Sequence, residues 1–316
     1  MRVAIVGAGI TGLACARDLV AAGLEVVVFD KGRGVGGRLA TRRAEGGFQF
    51  DHGASQVSAT GAPFAALLKE AEAAGALARW EPGAGTSNAS PSFVGLPGMS
   101  GFARYLAQGI DVRVGSTIGT VDRVDAGWRV TVGDHSETFD RVVLTLPAPQ
   151  IIRLLGTTHP LCKEVSGVQM SPCLTLMAAF AGQGHVQDQK FAQPPGDLDL
   201  ITLGNSKPGR QGDLQLWVAH ANADFSNRHL DQELPDIAQM MLPLLCDHLG
   251  RKPAEALHAV AHRWRYARAS RPLGLPFLSD RSGQMYLGGD WCLGNTAEAG
   301  WTSGRAVAAD LLALGR

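Results

Sequence analysis

The sequence predicts an α/β protein: a Rossmann-like dinucleotide-binding domain joined to a second, α+β domain built on an antiparallel sheet. Three observations predict it. Residues 3–12, Val-Ala-Ile-Val-Gly-Ala-Gly-Ile-Thr-Gly, are a short apolar run leading into G-x-G-x-x-G, and an Ala- and Leu-rich helical pattern carries on to Gly23. A second apolar run, residues 26–29, stops at Asp30. From about 160 to 260 the pattern changes to strand-like runs broken by Pro and Gly clusters. At 316 residues the chain exceeds one small core, so two domains are expected.

The opening unit reads strand, glycine turn, helix, strand, acid. Such a unit seats a dinucleotide pyrophosphate on a helix N-terminus. Gly7 permits the tight turn, Gly9 lets the backbone approach phosphate, and Gly12 lets helix and strand pack closely. Ile10 and Thr11 open the helix and belong to the same binding loop. Asp30 is placed to accept from a ribose hydroxyl. A bare G-x-G-x-x-G is a weak signal, and the plainer alternative is a glycine turn in an ordinary βαβ unit. The flanking strand, helix and acid make the dinucleotide reading strong.

Composition narrows the partners. Hydrophobic residues make up 45% and charged residues 18%, with 29 basic and 29 acidic side chains giving a formal net charge of zero. That balance argues against nucleic acid or an anionic membrane surface as a bulk partner. Cys15, Cys162, Cys173, Cys246 and Cys292 are odd in number and scattered, without C-x-x-C. A disulfide framework and a structural zinc are therefore not expected, and a reducing, cytoplasmic setting is. Arg2 before an apolar stretch resembles a signal peptide, but the ordered glycines and Arg17-Asp18 interrupt it. No apolar run is long enough to span a membrane.

Taken in order, Lys31-Gly32-Arg33-Gly34-Val35-Gly36-Gly37-Arg38 follows the acid. Its glycines free backbone N–H groups, and Arg33 and Arg38 offer forks that match phosphate oxygens. Phe48-Gln49-Phe50 reads as a short strand ending in the turn Asp51-His52-Gly53-Ala54, near the cofactor. Residues 62–78 carry a helical pattern, 80–91 a surface loop, and 99–108 a helix capped by Ser100. Short antiparallel strands follow at 121–124, 128–132 and 138–139. Arg141 to Leu146 is an apolar strand closed by Thr145-Leu146-Pro147, which suits a return to the parallel sheet, with a helix after it at 149–155.

In the middle block, 174–180, 198–203 and 214–220 read as strands and 231–249 as a covering helix. Residues 257–267 alternate: His258, Val260, His262, Trp264 and Tyr266 share one face, with Arg263 and Arg265 on the other. The chain then returns to the first domain through the strand Met285-Tyr286-Leu287-Gly288-Gly289-Asp290. A small-residue helix start, Glu298-Ala299-Gly300, comes last. The expected division is 1–60, 97–158 and 268–316 for the cofactor domain, and 61–96 and 159–267 for the substrate domain.

These blocks together resemble the FAD-dependent amine oxidase superfamily, whose cofactor domain is of the hydroxybenzoate-hydroxylase type. The resemblance lies in the N-terminal unit, Gly36-Gly37-Arg38, Asp51-His52-Gly53-Ala54, Thr145-Leu146-Pro147 and Gly289-Asp290. Within the superfamily the chain is most similar to the renalases, through 97–100, 205–208, 262–267 and 289–293. It departs from them in reading Ser55-Gln56 after Gly53-Ala54, and Glu298-Ala299-Gly300 where they read Glu-Gly-Ala.

The resemblance implies FAD, with Asp30 on the adenosine ribose, Val121 beside the adenine, Arg38 at the pyrophosphate and Asp290 at the ribityl chain or adjacent phosphate. It also implies a helix start at 298–300 aimed at the flavin pyrimidine, where reduced flavin is anionic. Lys31, Gly37, Thr145, Pro147 and Gly289 complete the expected FAD contacts. Because a second glycine–acid strand and a second helix start need a cofactor long enough to reach both, FAD and not NAD is the expected tenant of the opening motif.

Hydride transfer to a flavin requires orientation more than acid–base groups. No Ser/His/Asp set and no G-x-S-x-G occurs. His262, Trp264, Tyr266 and Trp291 are the candidate catalytic walls of a substrate cavity, with aromatic core packing as the alternative. His258 and His262 sit on a strand and make a poor metal pair, so no metal is expected. Cys292 reads as an ordinary buried thiol and not as a covalent flavin anchor. Three functions stay open. The first is an oxidase that converts 2- or 6-dihydro isomers of NAD(P)H to NAD(P)+ and passes electrons to O2. The others are an amine oxidase and a non-catalytic flavoprotein that binds a partner.

Overall fold

The computed structural model describes every residue except 82–90, 126, 183–190, 211 and 315–316. The expected 80–91 loop falls largely outside the described residues. The chain forms two compact units: residues 1–37, 103–170 and 268–316, and residues 38–102 and 171–267. Residues 38–60 and 97–102, expected with the cofactor domain, belong to the second unit. Residues 159–170, expected with the substrate domain, belong to the first. The physical reason is packing: Phe50 lies in a core with Met177, Ala179 and Val218, whereas Leu161, Val165 and Val168 lie in a core with Ala148 and Ile151.

The first unit is organised by a six-stranded sheet. Its order is Leu278–Ser279, Met285–Leu287, Arg141–Leu144, Arg2–Val6, Glu25–Phe29 and Asp111–Arg113, all parallel except the short first edge strand. Its strands are apolar on both faces because both faces are covered. Ala4, Val6, Val27, Phe29, Val142 and Leu144 pack against Val121, Trp128, Val130 and Phe139 of a three-stranded antiparallel sheet. The helices Ile10–Ala21 and Ala297–Leu314 pack on one another at two glycines. A Cβ at Gly304 would lie 2.1 Å from Thr11 O, and one at Gly300 2.9 Å from Ile10 Cγ2.

The second unit carries a five-stranded antiparallel sheet in the order Phe191–Ala192, Leu198–Leu203, Leu214–Ala221, Gln169–Ala181, Ala256–Arg271. The helix Leu234–Leu249 covers it through Ile237, Ala238, Met241 and Leu245. That helix starts three residues later than the expected 231, with Pro235 in its first turn, a position that needs no intrahelical N–H, and Pro243 within it. It ends at Gly250, whose φ of 63° is left-handed.

The expected helix over 62–78 is Ala62–Ala73. Gly75, at φ 71°, ends it, and Leu77–Trp80 is instead a strand paired with Ser92–Gly95. No described helix is long and apolar enough to cross a membrane. All five cysteines are free and buried.

Candidate functional site

In the first unit the glycine turn is built from backbone. Gly7 has φ 113°, and a Cβ there would lie 2.7 Å from Thr145 Oγ1. A Cβ at Gly12 would lie 1.9 Å from Gly7 O. Both positions exclude a side chain because the turn, the helix and the Thr145 strand end meet there. Thr145 Oγ1 lies 3.0 Å from Val6 O and 3.0 Å from Gly7 O, and its hydroxyl donates to one of them. Thr145 thus closes the turn from behind. Gly9 differs: nothing lies within 4 Å of where its Cβ would be. Gly9 caps the helix Ile10–Ala21, whose first amides have no partner within the helix. Open space over Gly9, at a helix N-terminus, fits a pyrophosphate.

Asp30 frames this turn. Oδ2 accepts from Ala8 N at 2.7 Å and Oδ1 from Gly32 N at 2.6 Å. A carboxylate has about four acceptor positions, so capacity for a ribose hydroxyl remains. Gly36 N donates to Ala8 O at 2.8 Å, which fastens the second glycine loop to the first. Lys31, Arg33 and Gly37 are exposed on that loop.

Further along, several expected contacts have structural duties. Val121 is buried, its side chain facing the core. Pro147 O caps the helix Ala148–Leu155 by accepting from Gln150 N and Ile151 N. Asp290 is buried, its carbonyl accepting from Leu293 N and Gly294 N. Gly289 N donates to Ser303 Oγ at 3.0 Å, and a Cβ at Gly289 would lie 2.2 Å from Trp291 Nε1.

Two expectations are corrected here, and Cys292 is as expected. The expected helix start at 298–300 is capped by Thr296: Ala299 N donates to Thr296 Oγ1 at 3.1 Å and Gly300 N to Thr296 O at 3.2 Å. Two of the three expected amides, those of Ala299 and Gly300, are therefore occupied within the cap, leaving Glu298 as the expected contact of that start. Trp291 is only 1% exposed, packs in the core and donates Nε1–H to Leu146 O at 3.0 Å. A ring that closed off cannot wall a cavity, so core packing wins for Trp291. Cys292 is fully buried, and burial pushes its thiol up to about 12, which keeps it protonated.

The second unit holds a different construction. Alternation along residues 48–52 sends Phe48, Phe50 and His52 to one face and Gln49 and Asp51 to the other. Asp51, 2% exposed, is saturated. Oδ1 accepts from Thr41 Oγ1 at 2.8 Å and Met99 N at 2.9 Å, and Oδ2 pairs with Lys207 Nζ at 3.0 Å and Arg210 Nη1 at 2.6 Å. Four partners fill a carboxylate, so Asp51 is an internal anchor, a correction to its expected place on the cofactor.

Burial works to raise the Asp51 pKa, but Lys207, Arg210 and the Met99 amide outweigh it and hold it below the usual carboxylate range. Burial pushes Lys207 down to about 8 against the pull of Asp51. Its ammonium also donates to Ser55 O at 2.7 Å, which fixes the turn. Gly53 and Ala54 dock on Arg38: Ala54 N donates to Arg38 O at 2.8 Å, and a Cβ at Gly53 would lie 2.1 Å from that oxygen. Arg38 Nη1 donates to Ala267 O at 2.8 Å.

The opposite face gathers rings. His52 lies 4.7 Å from His262 and 4.9 Å from Trp264 by ring centroids, and His262 lies 4.4 Å from Trp264. Trp264 Nε1 donates to His52 O at 2.8 Å, and His220 Nε2 donates to the same carbonyl at 3.2 Å. His258 stacks on Phe50 at 5.8 Å and meets Phe48 at 5.2 Å. The alternating face of Ala256–Arg271 thus brings His258, His262 and Trp264 together, while Arg265 on its other face pairs with Asp231 at 2.9 Å. Tyr266 is half-buried on the same strand.

Burial, His262 and Arg42 lower His52 to about 3, and burial and Arg42 lower His262 to about 4. Both imidazoles are neutral at working pH. Sequence reasoning missed Thr41, Arg42, Met99, Arg210, Thr296 and Ser303, and gave Lys207 and His220 little weight. The 48–52 alternation was the signal that could have separated Asp51 from His52.

A model of the NAD(P)-binding Rossmann-like domain matches residues 5–71, and one of flavin-containing amine oxidoreductases matches residues 83–312. Renalase of Mus musculus is 26% identical over 310 residues, covering 90% of this chain and 89% of that protein. A 4,4'-diapophytoene desaturase of Staphylococcus haemolyticus is 49% identical over 53 residues, 17% of this chain and 10% of its own length. Among solved structures, an Exiguobacterium protein provisionally assigned as a protoporphyrinogen oxidase superposes with a TM-score of 0.78 at 16% identity, covering 100% of this chain and 99% of its own. Putrescine oxidase bound to putrescine gives 0.74 at 16% identity, covering 99% of each chain. At such identities the structural likeness speaks to fold alone.

Proposed function

The chain belongs to the flavin-containing amine oxidoreductase family, and from that membership we propose an FAD-dependent oxidase of the renalase type, acting on 2- or 6-dihydro isomers of NAD(P)H. FAD is its cofactor, as in the family. The net conversion takes the dihydronicotinamide, O2 and a proton to NAD(P)+ and hydrogen peroxide. Bound FAD supplies the hydride acceptor. The Gly7–Gly12 turn holds its pyrophosphate and Asp30 a ribose. In the second unit, His262 and Trp264, with Tyr266 beside them, orient a flat ring by stacking. Arg38 and His52 belong to the ring-binding surface of the second unit, and in the first unit Glu298 and Asp290 serve the flavin.

The observation that carries the choice of substrate is the charge of the ring face. Its histidines are neutral, the Arg42 guanidinium acts on all three of them, and the buried carboxylate beside His52, Asp51, is saturated. Glu45 acts on His258 alone and less than Arg42 does. A protonated amine entering here would lose its hydration without gaining a counter-ion, a cost of several kcal/mol. A neutral dihydronicotinamide ring with phosphates attached meets neither problem. The buried lysine, Lys207, is held by Asp51 and the Ser55 carbonyl.

The test is anaerobic mixing of the yellow holoprotein with 2- and 6-dihydro-NAD(P) and with simple amines in a stopped-flow instrument. Fast bleaching of the flavin band by the dihydronicotinamides is expected. Fast bleaching by amines alone would reverse the assignment, and a flavin reduced by neither would point to a binding protein.

A further inference from the structure

Arg42 stands out among the cations of the second unit. Arg42 and Arg43 form a two-residue strand paired antiparallel with Gln49–Phe50, Arg42 opposite Phe50 and Arg43 opposite Gln49. Directly opposed residues project to the same face of a ladder. Arg42 therefore shares the face of Phe50, His52 and His258, and Arg43 lies on the face of Gln49 and Asp51. Arg79, Arg210, Arg228, Arg251 and Arg265 of this unit each pair with an acid. Among the described residues, neither the Arg42 nor the Arg43 side chain makes an ion pair or hydrogen bond. Both are exposed.

A second observation points to a ligand at the same face. His52 is 6% exposed, and its Nδ1 has no hydrogen-bond partner among the described residues. An unpartnered buried polar atom in a native fold calls for an explanation, and a bound group is one. His258 Nε2, stacked over Phe50, is likewise without a partner. Two hydrogen-bonding nitrogens, flat rings and one unpaired guanidinium together describe a receptor for a planar polar ring bearing an anion.

We infer that Arg42 is the specificity-determining residue of this face, its guanidinium gripping a phosphate of a nucleotide-type substrate whose ring lies on the half-buried His258, His262 and Trp264 side chains. The inference rests on the dihydronicotinamide reading for the identity of that substrate. An Arg fork matches two phosphate oxygens, whereas a lysine offers a single point charge. Arg42 holds this face positive, consistent with the neutral state of the three histidines it acts on.

The test is calorimetric titration of the FAD-loaded protein with NAD+, the product on this reading, and with nicotinamide riboside, which lacks phosphate. Arg42→Ala should raise the Kd for NAD+ at least tenfold, Arg42→Lys about threefold, and Arg43→Ala less than twofold. The riboside should bind all four proteins within a factor of two. Equal weakening by Arg42→Ala and Arg43→Ala would reduce the effect to general surface charge and overturn the inference. Equal weakening of the riboside, absence of NAD+ binding by the wild type, or loss of FAD from Arg42→Ala with NAD+ affinity intact would do so too. If dihydronicotinamides fail to bleach the flavin while NAD+ binding still depends on Arg42, the proposed activity falls and the Arg42 site stands.

Discussion

The glycine turn of the first unit and the Asp51 anchor of the second solve opposite problems. The turn leaves a space: Gly9 has nothing within 4 Å of its missing side chain, and around it Gly7 and Gly12 are packed to contact. The anchor leaves none: Asp51 is surrounded by Thr41, Met99, Lys207 and Arg210. One construction is backbone, without a charge that must be balanced. The other is a buried charge set that holds its turn only while every member is present. Backbone geometry tolerates loss of a side chain but not the gain of one; a buried ion cluster behaves the other way round.

The sharpest way to break this contrast is Asp51→Ala. It leaves Lys207 and Arg210 buried without their counter-ion, which costs on the order of 3–5 kcal/mol. Urea unfolding of the holoprotein should show that loss, and Asp51→Ala combined with Lys207→Met should lose less than the two single changes added together. A drop below about 1 kcal/mol for Asp51→Ala would mean that the cluster is not the anchor described.

A pair of alanine substitutions sharpens the other side. Gly12→Ala forces a methyl to within 1.9 Å of Gly7 O, so turn and helix must separate, at a cost of about 1–3 kcal/mol, and FAD should be lost on gel filtration. Gly9→Ala adds its methyl to open space at a φ of −75°. Stability without FAD should stay within about 1 kcal/mol of the wild type, while FAD affinity falls tenfold or more. If both variants lose apo stability alike, Gly9 is a packing glycine and the phosphate space is not there.

Legibility in the sequence divides along the same line. The turn was readable because its parts lie within thirty residues and its chemistry is a spacing: Gly7, Gly9, Gly12, Asp30. The parallel return of Arg141–Leu144 was readable from its apolar run, and the ring face from the alternation of 258, 262 and 264. Asp51 was misassigned because three of its four partners, Met99, Lys207 and Arg210, sit 48 or more residues away, and no spacing rule links them. Trp291 was misassigned for a related reason: an aromatic beside a Gly-Asp motif reads the same whether it lines a cavity or fills a core. Only its burial, and its bond to Leu146, distinguish the two.

The ring face adds a pH dependence that the glycine turn lacks. His52 has a folded pKa of about 3, well below its unfolded value of 6.5. Between these limits the unfolded chain binds the proton and the folded one does not, so stability falls as pH drops from 6.5 toward 3, by up to about 1.4 kcal/mol per pH unit for this group. His52→Phe should flatten that part of the curve in urea titrations at pH 4, 5 and 6. A slope unchanged by the substitution would show that His52 is already protonated in the fold.

The smallest expected effect tests the correction at Trp291. Trp291→Phe keeps an aromatic ring in the core but removes the Nε1–H bond to Leu146 O, leaving a carbonyl to find another donor. The loss should be about 1–2 kcal/mol in unfolding experiments. If Trp291 belongs to the core alone, the rate of flavin reduction and the Kd for NAD+ should stay within twofold of wild type. Trp264→Phe makes the matching change on the ring face: it removes the bond to His52 O, and there both kinetic readouts should shift by more than the unfolding free energy accounts for. The two substitutions delete the same indole N–H from two tryptophans. A kinetic loss at Trp291 equal to that at Trp264 would return Trp291 to the substrate wall and erase the distinction between a ring that packs and a ring that binds.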